Sequence, residues 1–316
     1  MTQAPILTVT LNPALDISTG ADKVRPDVKL RCDAPSFDPG GGGINVSRAI
    51  AIMGGQSTAC VALGGTVGHR IAGMLEAAGV TLQQMQAPGE TRQSVAVTDR
   101  DSGLQYRFVM PGPAWGDAHV GQSIAHILQT AQAGGLVVLS GSNPPGVPAD
   151  YAALLAPRLS QRGAGLIVDT SGPALRAVAD GGHNVTLLRM DAEEAEDLAG
   201  TPLPERADTA RFAASLVQAG AAKAVIVARG GDGNIIADGG SAWHAEAAKV
   251  EVVSKVGAGD SFLAGFTLGH ARGLPAHEAL GLGAAMASAA CMTPATELCR
   301  RKDVDRLFDA RVLTRL

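Results

Sequence analysis

Short runs of β-branched and aliphatic residues alternate along the chain with segments whose apolar positions recur at helical spacing. Strands are predicted over Ile6–Leu11, Thr58–Leu63, Leu136–Ser140, Gly165–Asp169, Val185–Arg189 and Ala224–Ala228. Several are apolar throughout rather than alternating, as in strands of a parallel sheet covered on both faces. Val46, Ala49, Ile50 and Met53 follow one another at i, i+3, i+4 and i+7, and Tyr151, Leu154, Leu155 and Leu159 form a similar stripe. This alternation predicts an α/β fold, a wound and mostly parallel sheet flanked by helices.

Two stretches break the rhythm. Residues from about Ser18 to Asp38 are polar, carry both signs of charge and contain no long helical stripe. Ser94–Asp99 and Gln105–Met110 flank Arg100-Asp101-Ser102-Gly103, a turn-rich stretch that predicts a β-hairpin. Early strands outside the main sheet suit a small accessory sheet over a site; the alternative is an edge extension of the main sheet.

Composition narrows the functional classes. At 316 residues the chain is long enough for one large α/β domain or two smaller units. Its 40 glycines are about 13% of the chain, against about 7% usually, so glycine is expected in turns, close helix contacts and ligand loops. A net charge of −4 gives no support for nucleic-acid binding through a basic face. The four cysteines, Cys32, Cys60, Cys291 and Cys299, have no C-x-x-C spacing, and no secretory leader is read before them. Reduced thiols and a cytoplasmic location are expected. No apolar run approaches the roughly 18–20 residues of a membrane span, and the seven histidines form no metal-binding pattern.

The richest segment is Val256-Gly257-Ala258-Gly259-Asp260-Ser261-Phe262. Three small residues before a helix let backbone N–H groups converge at its positive end, a hole suited to a phosphoryl group in transfer. Asp260 is open to two readings: a cap for the helix, or a base that accepts the proton of an attacking hydroxyl. A second cluster, Gly40-Gly41-Gly42-Gly43-Ile44-Asn45, permits close approach to a ligand, although a flexible turn would look the same. Asn45 suits a sugar hydroxyl or a helix end. Neither G-x-x-x-x-G-K-[ST] nor a G-x-G-x-x-G after the first strand occurs, so a Walker loop and a dinucleotide fold are excluded.

These motifs resemble the PfkB (ribokinase-like) carbohydrate kinases over essentially the whole chain, and among them the minor-type ATP-dependent 6-phosphofructokinases. The resemblance rests on Thr8-Val9-Thr10-Leu11-Asn12-Pro13-Ala14-Leu15-Asp16, Lys29-Leu30-Arg31-Cys32 and Gly40 to Val46. It continues through Thr91-Arg92-Gln93, Gln105 to Gly112, Ser140-Gly141-Ser142 and Val256 to Ser261. It implies one ribokinase-like kinase domain over 1–316, with lid segments at about 17–38 and 91–110 that pair across a homodimer. Asp260 is the implied base, and Gly257, Ala258 and Gly259 the γ-phosphate hole. Asp16, Lys29, Gly41, Gly42, Asn45, Arg92, Arg107 and Ser140 are implied to hold the sugar. Two arginines suit an already phosphorylated one. Arg189, Asp191, Arg229, Gly231, Gly233 and Lys255 are implied at the nucleotide, with Ala284 to Thr296 walling the adenine. Mg2+ would accompany ATP, with Asp191 and Glu194 nearest the metal, and a monovalent cation is a further expectation.

Fructose-6-phosphate is the first expectation for the acceptor. Relatives acting on fructose-1-phosphate or tagatose-6-phosphate usually carry lysine where Gly42 stands; those two substrates are the alternatives, with a catalytically silent sugar-phosphate binder as a third. The chain departs from the family's Lys-Pro-Asn-x-x-Glu at Arg189-Met190-Asp191-Ala192-Glu193-Glu194. It also carries Lys255 in place of a threonine and Thr293-Pro294-Ala295-Thr296 in place of a glycine-containing turn. The new acid and the new base suggest an Asp191–Lys255 pair.

Overall fold

The computed structural model of the chain describes residues 3–294 and 297–316. Along its first half run β1 (Ile6–Thr10), β2 (Ala14–Ala21), β3 (Ser36–Gly40), β4 (Thr58–Leu63), β5 (Thr81–Gln86), β6 (Arg92–Asp99) and β7 (Gln105–Val109). The second half adds β8 (Leu136–Ser140), β9 (Gly165–Asp169), β10 (Leu187–Asp191), β11 (Ala224–Ala228), β12 (Asn234–Asp238), β13 (Ala242–Ala245) and β14 (Leu313–Arg315). Among the described residues ten strands form one sheet in the order β14-β13-β12-β11-β10-β9-β8-β1-β4-β5, parallel from β11 to β5 and antiparallel from β11 to β14.

The uninterrupted apolar strands sit where the sequence predicts. In β1 and β8 every residue is buried, because helices cover both faces. One layer contains α3 (Asp117–Thr130), α4 (Tyr151–Gln161) and α5 (Gly172–Ala179), packed on Leu7, Val9, Val137 and Leu139. The other contains α1 (Gly42–Ile52), α8 (Ala258–Ala271) and α9 (Ala276–Cys291), packed on Ile6, Leu136, Val138 and Ile167. The remaining helices are α2 (Gly65–Ala77), α6 (Ala192–Ala199), α7 (Arg206–Gln218) and α10 (Arg301–Asp309). The sequence's period-2 placement thus splits each strand between two cores. Glycine brings α8 and α9 close: a Cβ on Gly265 would stand 2.8 Å from the Leu282 carbonyl oxygen and the Met286 sulfur.

The accessory sheet is separate from the main one. Its order is β3-β2-β6-β7, with β2 parallel to β6 and antiparallel to β3. The β6–β7 hairpin turns through Arg100–Gly103, closed by the Asp99 N–H on the Leu104 carbonyl at 2.8 Å. Arg100 ties this turn to Asp22 at 2.6 Å and to Asp33, and Lys23 reaches Asp101 at 2.6 Å.

Two corrections concern the parallel part of the main sheet, and the antiparallel strands β12, β13 and β14 were likewise not predicted. The strand predicted over Val185–Arg189 is β10, displaced to Leu187–Asp191. Pairing with β9 begins only at Leu187, and the far end runs on until Asp191 caps the next helix. The edge strand β5 (Thr81-Leu82-Gln83-Gln84-Met85-Gln86) was not expected, because its mostly exposed residues carry little apolar signal.

Candidate active site

Two helix N-termini meet at the carboxyl ends of the central strands, where open α/β sheets place their ligands. The first belongs to α1, whose N-cap is Gly41 and whose first two residues are Gly42 and Gly43. None of the four consecutive glycines is interchangeable with a flexible turn. A Cβ on Gly40 would lie 2.1 Å from Asp16 Oδ2, on Gly41 2.6 Å from Thr10 Cγ2, on Gly42 2.2 Å from Ser140 Oγ and on Gly43 2.6 Å from Thr10 Oγ1. The run exists so that a helix can start in contact with β1, β2 and β8. The Thr10 hydroxyl then accepts the Ile44 N–H at 3.0 Å.

The second N-terminus is that of α8. Gly257 is its N-cap with φ +76, a left-handed conformation suited to glycine, and the helix begins at Ala258. Asp260 lies in the first turn, and its Oδ2 accepts the Asn45 Nδ2–H at 2.9 Å from α1. Desolvation pushes the Asp260 carboxyl up to about 6; the Asn45 hydrogen bond opposes that, the Asp169 charge adds to it and the Arg189 charge opposes it. A carboxyl at about 6 is ionised near neutrality yet basic enough to take a proton.

On the lid side, Asp16 on β2 stands opposite Ser94 on β6. Desolvation raises the Asp16 pKa, against the charges of Arg92 and Arg107. Arg92 donates to the Asn12 carbonyl at 3.1 Å and the Met110 carbonyl at 3.3 Å. Asp16, Ser94, Arg107 and Val256 line one narrow cavity of about 50 Å3, which joins the lid to the loop before Gly257. Arg107 is exposed, as is the whole of β7. Ser140 is buried at the end of β8 against Gly42. Lys29 is exposed on the connection 22–35, outside this cavity.

On the far side of Asp260 opens a cleft of about 430 Å3 lined by Arg189, Gly230, Gly231, Lys255, Ala258 and Gly259, with Phe262, Ala287, Ser288 and Cys291 behind them. Ala287 to Cys291 fall in the segment expected to wall an adenine; Ala295 and Thr296, also in that segment, lie outside the described residues. Arg189 lies beneath the glycine loop: a Cβ on Gly259 would stand 3.3 Å from its Nη2. Its Nη1 pairs with Asp169 Oδ1 at 3.1 Å; desolvation lowers the guanidinium pKa, but the charge and hydrogen bond of Asp169 with the charges of Glu194 and Asp260 together raise it.

Three expectations meet a different local structure. Asp191 is the N-cap of α6: its Oδ1 accepts the Glu194 N–H at 2.9 Å while Glu194 Oε2 accepts the Asp191 N–H at 2.9 Å. No ion pair links it to Lys255 among the described residues. The Arg229 side chain points away from the cleft, donating to Asp232 at 2.7 Å, Leu203 O at 2.9 Å, Pro204 O at 2.8 Å and the Thr209 hydroxyl. Its partners fix the connection before α7. Gly233, at φ +109, is a turn residue whose Cβ would lie 2.1 Å from the Ala245 carbonyl oxygen; only its neighbours Gly230 and Gly231 line the cleft.

Residues 9–303 match the pfkB family of carbohydrate kinases. The chain belongs to that family. It is 38% identical over 304 residues to the ATP-dependent 6-phosphofructokinase isozyme 2 of Mycobacterium tuberculosis, covering 96% of this chain and 89% of the relative. The crystal structure of phosphofructokinase-2 from Escherichia coli in complex with potassium superposes with a TM-score of 0.91 at 36% identity, covering 97% of this chain and 99% of that one. The same Escherichia coli protein in complex with fructose-6-phosphate gives 0.89 at 36% identity, over 97% and 99% of the two chains.

The fold of this kinase brings Asp16, Gly41, Gly42, Asn45, Arg92, Ser140 and Asp260 together from β2, α1, β6, β8 and α8. Sequence reasoning missed Asp169, which acts electrostatically on Asp260, Arg189 and Glu194 alike. The signal was an acid at the carboxyl end of a predicted parallel strand. It also missed Ala247 to Val250 and Val252, a second wall of the cleft beside Lys255 and Gly259, which have no helical or strand period.

Proposed function

We propose that this kinase transfers the γ-phosphate of ATP to O1 of fructose-6-phosphate, giving fructose 1,6-bisphosphate and ADP. The observation that carries the reading is the placement of Asp260 at the start of α8, between the lid cavity that holds Asp16 and Arg107 and the cleft that holds Arg189 and Lys255. Asp260 takes the proton from O1 as O1 bonds to the γ-phosphorus. The bond from that phosphorus to the bridging oxygen breaks, and ADP leaves with the electron pair. The N–H groups of Gly257, Ala258 and Gly259 receive the charge on the transferring phosphoryl at the positive end of the helix.

Sugar-phosphate selection follows from Gly42. With Ser140 Oγ 2.2 Å from where a Cβ would stand, no lysine fits there, and recognition of the 6-phosphate falls to Arg92 and Arg107. Mg2+ suits the acids beside the nucleotide cleft. Desolvation raises the Glu194 pKa, and the nearby Asp191 and Asp169 charges add to it, against the Asp191 N–H. A cation on the ATP phosphates would relieve that crowding; Glu194 and Asp169 are the residues that would hold it, with Asp191 kept as the cap. Mg2+ neutralises phosphate charge during transfer.

The lid also supports self-association. Tyr106, Phe108 and Val109 are exposed on β7, an apolar edge that a second copy would cover. We read the functional unit as a dimer joined through the lid.

A coupled assay of ADP release with Mg-ATP, over phosphorylated and free sugars, tests the reading. Turnover highest on fructose-6-phosphate and reduced at least about a thousandfold in Asp260→Asn is expected. Preference for tagatose-6-phosphate would retire the substrate, and an active Asp260→Asn would retire the base.

A further inference from the structure

Two side chains on α1 are laid in series toward Asp260. Asn45 donates its Nδ2–H to Asp260 Oδ2 at 2.9 Å, and its own Oδ1 accepts from Arg48 Nη1 at 3.3 Å. Three residues apart, Asn45 and Arg48 share a helix face. A carboxamide has an acceptor on one side and donors on the other, whereas a guanidinium has donors alone. Arg48 can therefore face only the amide oxygen, and that choice turns the amide nitrogen toward the carboxylate. With the guanidinium removed, the amide can turn its oxygen toward Asp260 and accept a hydrogen bond from the protonated carboxyl, which favours the neutral acid over the carboxylate.

We propose that Arg48 is a positioning residue for phosphoryl transfer: by holding Oδ1 of Asn45 it keeps the Nδ2 donor on Asp260, so that the base stays ionised at neutral pH. This rests on the reading of Asp260 as the base. Arg48 is half-buried, and desolvation lowers its pKa against the charge of Asp38 on β3. The other charged groups that bear on Asp260 are Asp169 on β9, which raises its pKa, and Arg189 on β10, which lowers it. Among the lowering influences the Asn45 hydrogen bond is the largest, so its orientation governs the proton.

The test is the pH dependence of kcat/KM from pH 5 to 9.5 for the wild type, Arg48→Met and Arg48→Lys. Arg48→Met should move the acid limb up by about one pH unit, lowering kcat/KM by about threefold at pH 6.5 and by nearly tenfold at pH 5. At pH 9, where the base is ionised in every variant, it should return to within about twofold of wild type. Arg48→Lys keeps a donor and should fall between the two. If Arg48→Met does not give a cooperative melt, the limb of Arg48→Lys carries the test. An unmoved limb, with activity lost equally at every pH or not lost at all, overturns the proposal. A wild type whose acid limb persists in an active Asp260→Asn would instead overturn the reading of Asp260, so the two failures are distinguishable.

Discussion

Asp260 combines two properties that pull in opposite directions. The burial that suits it to the proposed role of base also makes its ionised form costly to fold. Its pKa lies at about 6 against an ordinary 3.8, so the folded protein binds the proton more tightly than the unfolded chain. The penalty is absent below pH 3.8, grows as pH rises to about 6 and is complete above that. Asp260→Asn removes the charge and keeps an acceptor for Asn45. Its melting temperature should exceed that of wild type by about 2–5 °C at pH 8 and by less at pH 5, while turnover disappears. A lower melting temperature at pH 8 would mean the carboxylate stabilises the fold. The same pKa places the acid limb of wild-type kcat/KM at about pH 6. Lys255 belongs to this scale too: exposed at the rim of the cleft beside Gly259, it suits an ATP phosphate in the proposed reaction. Lys255→Ala should raise the KM for ATP by about tenfold with kcat within about twofold.

Among the elements, the starts of α1 and α7 show how backbone approach and side-chain bonds set the site. Gly42→Ala places a Cβ 2.2 Å from Ser140 Oγ and 3.0 Å from the Ser140 backbone carbon. It should cost about 1–3 kcal/mol by overpacking and raise the KM for the sugar phosphate. Gly73→Ala is the matched control. Gly73 is exposed in the interior of α2 with nothing within 4 Å of its Cβ position, and the substitution should stabilise by about 0.5–1 kcal/mol. Chemical denaturation of both variants reads the contrast. Arg229→Met leaves the Leu203 and Pro204 carbonyls and Asp232 Oδ2 without their Arg229 donor, while Arg206 still holds Asp232 Oδ1. A stability loss of about 2–4 kcal/mol is expected with the KM for ATP unchanged. An increase in that KM would return Arg229 to the nucleotide.

At the scale of the whole molecule, the lid sheet carries Asp16 into the cavity it shares with Val256 and offers β7 to solvent. Phe108→Asp places a charge on that exposed edge. Its molar mass by light scattering should fall to that of one chain, with the KM for the sugar phosphate raised at least about fivefold. A wild type that is already one chain in solution would end the dimer reading. The expected contents of the lid, two polar or turn-rich segments apart from the main sheet, correspond to β2, β3, β6 and β7, and the hairpin turn falls at the predicted residues. Its topology was not legible. The parallel β2–β6 pairing joins segments more than seventy residues apart, and such register depends on which faces are buried rather than on local pattern.

The sequence by itself determined the buried parallel strands and the helix starts at the two glycine clusters, because these rest on local periodicity and spacing; Asp260, Asn45, Asp16 and Arg92 were candidates through their motifs and the family resemblance. Tertiary structure decided what the Asp260 carboxylate bonds, the Asn45 amide across two helices, and that contact supports its proposed role as base. It drew Asp169 into the site, turned Asp191 into a cap and sent Arg229 away from the cleft. The physical reason is common to all four. A side chain's role follows from which donors and charges stand within a few ångströms, and those neighbours come from strands and helices distant in the chain.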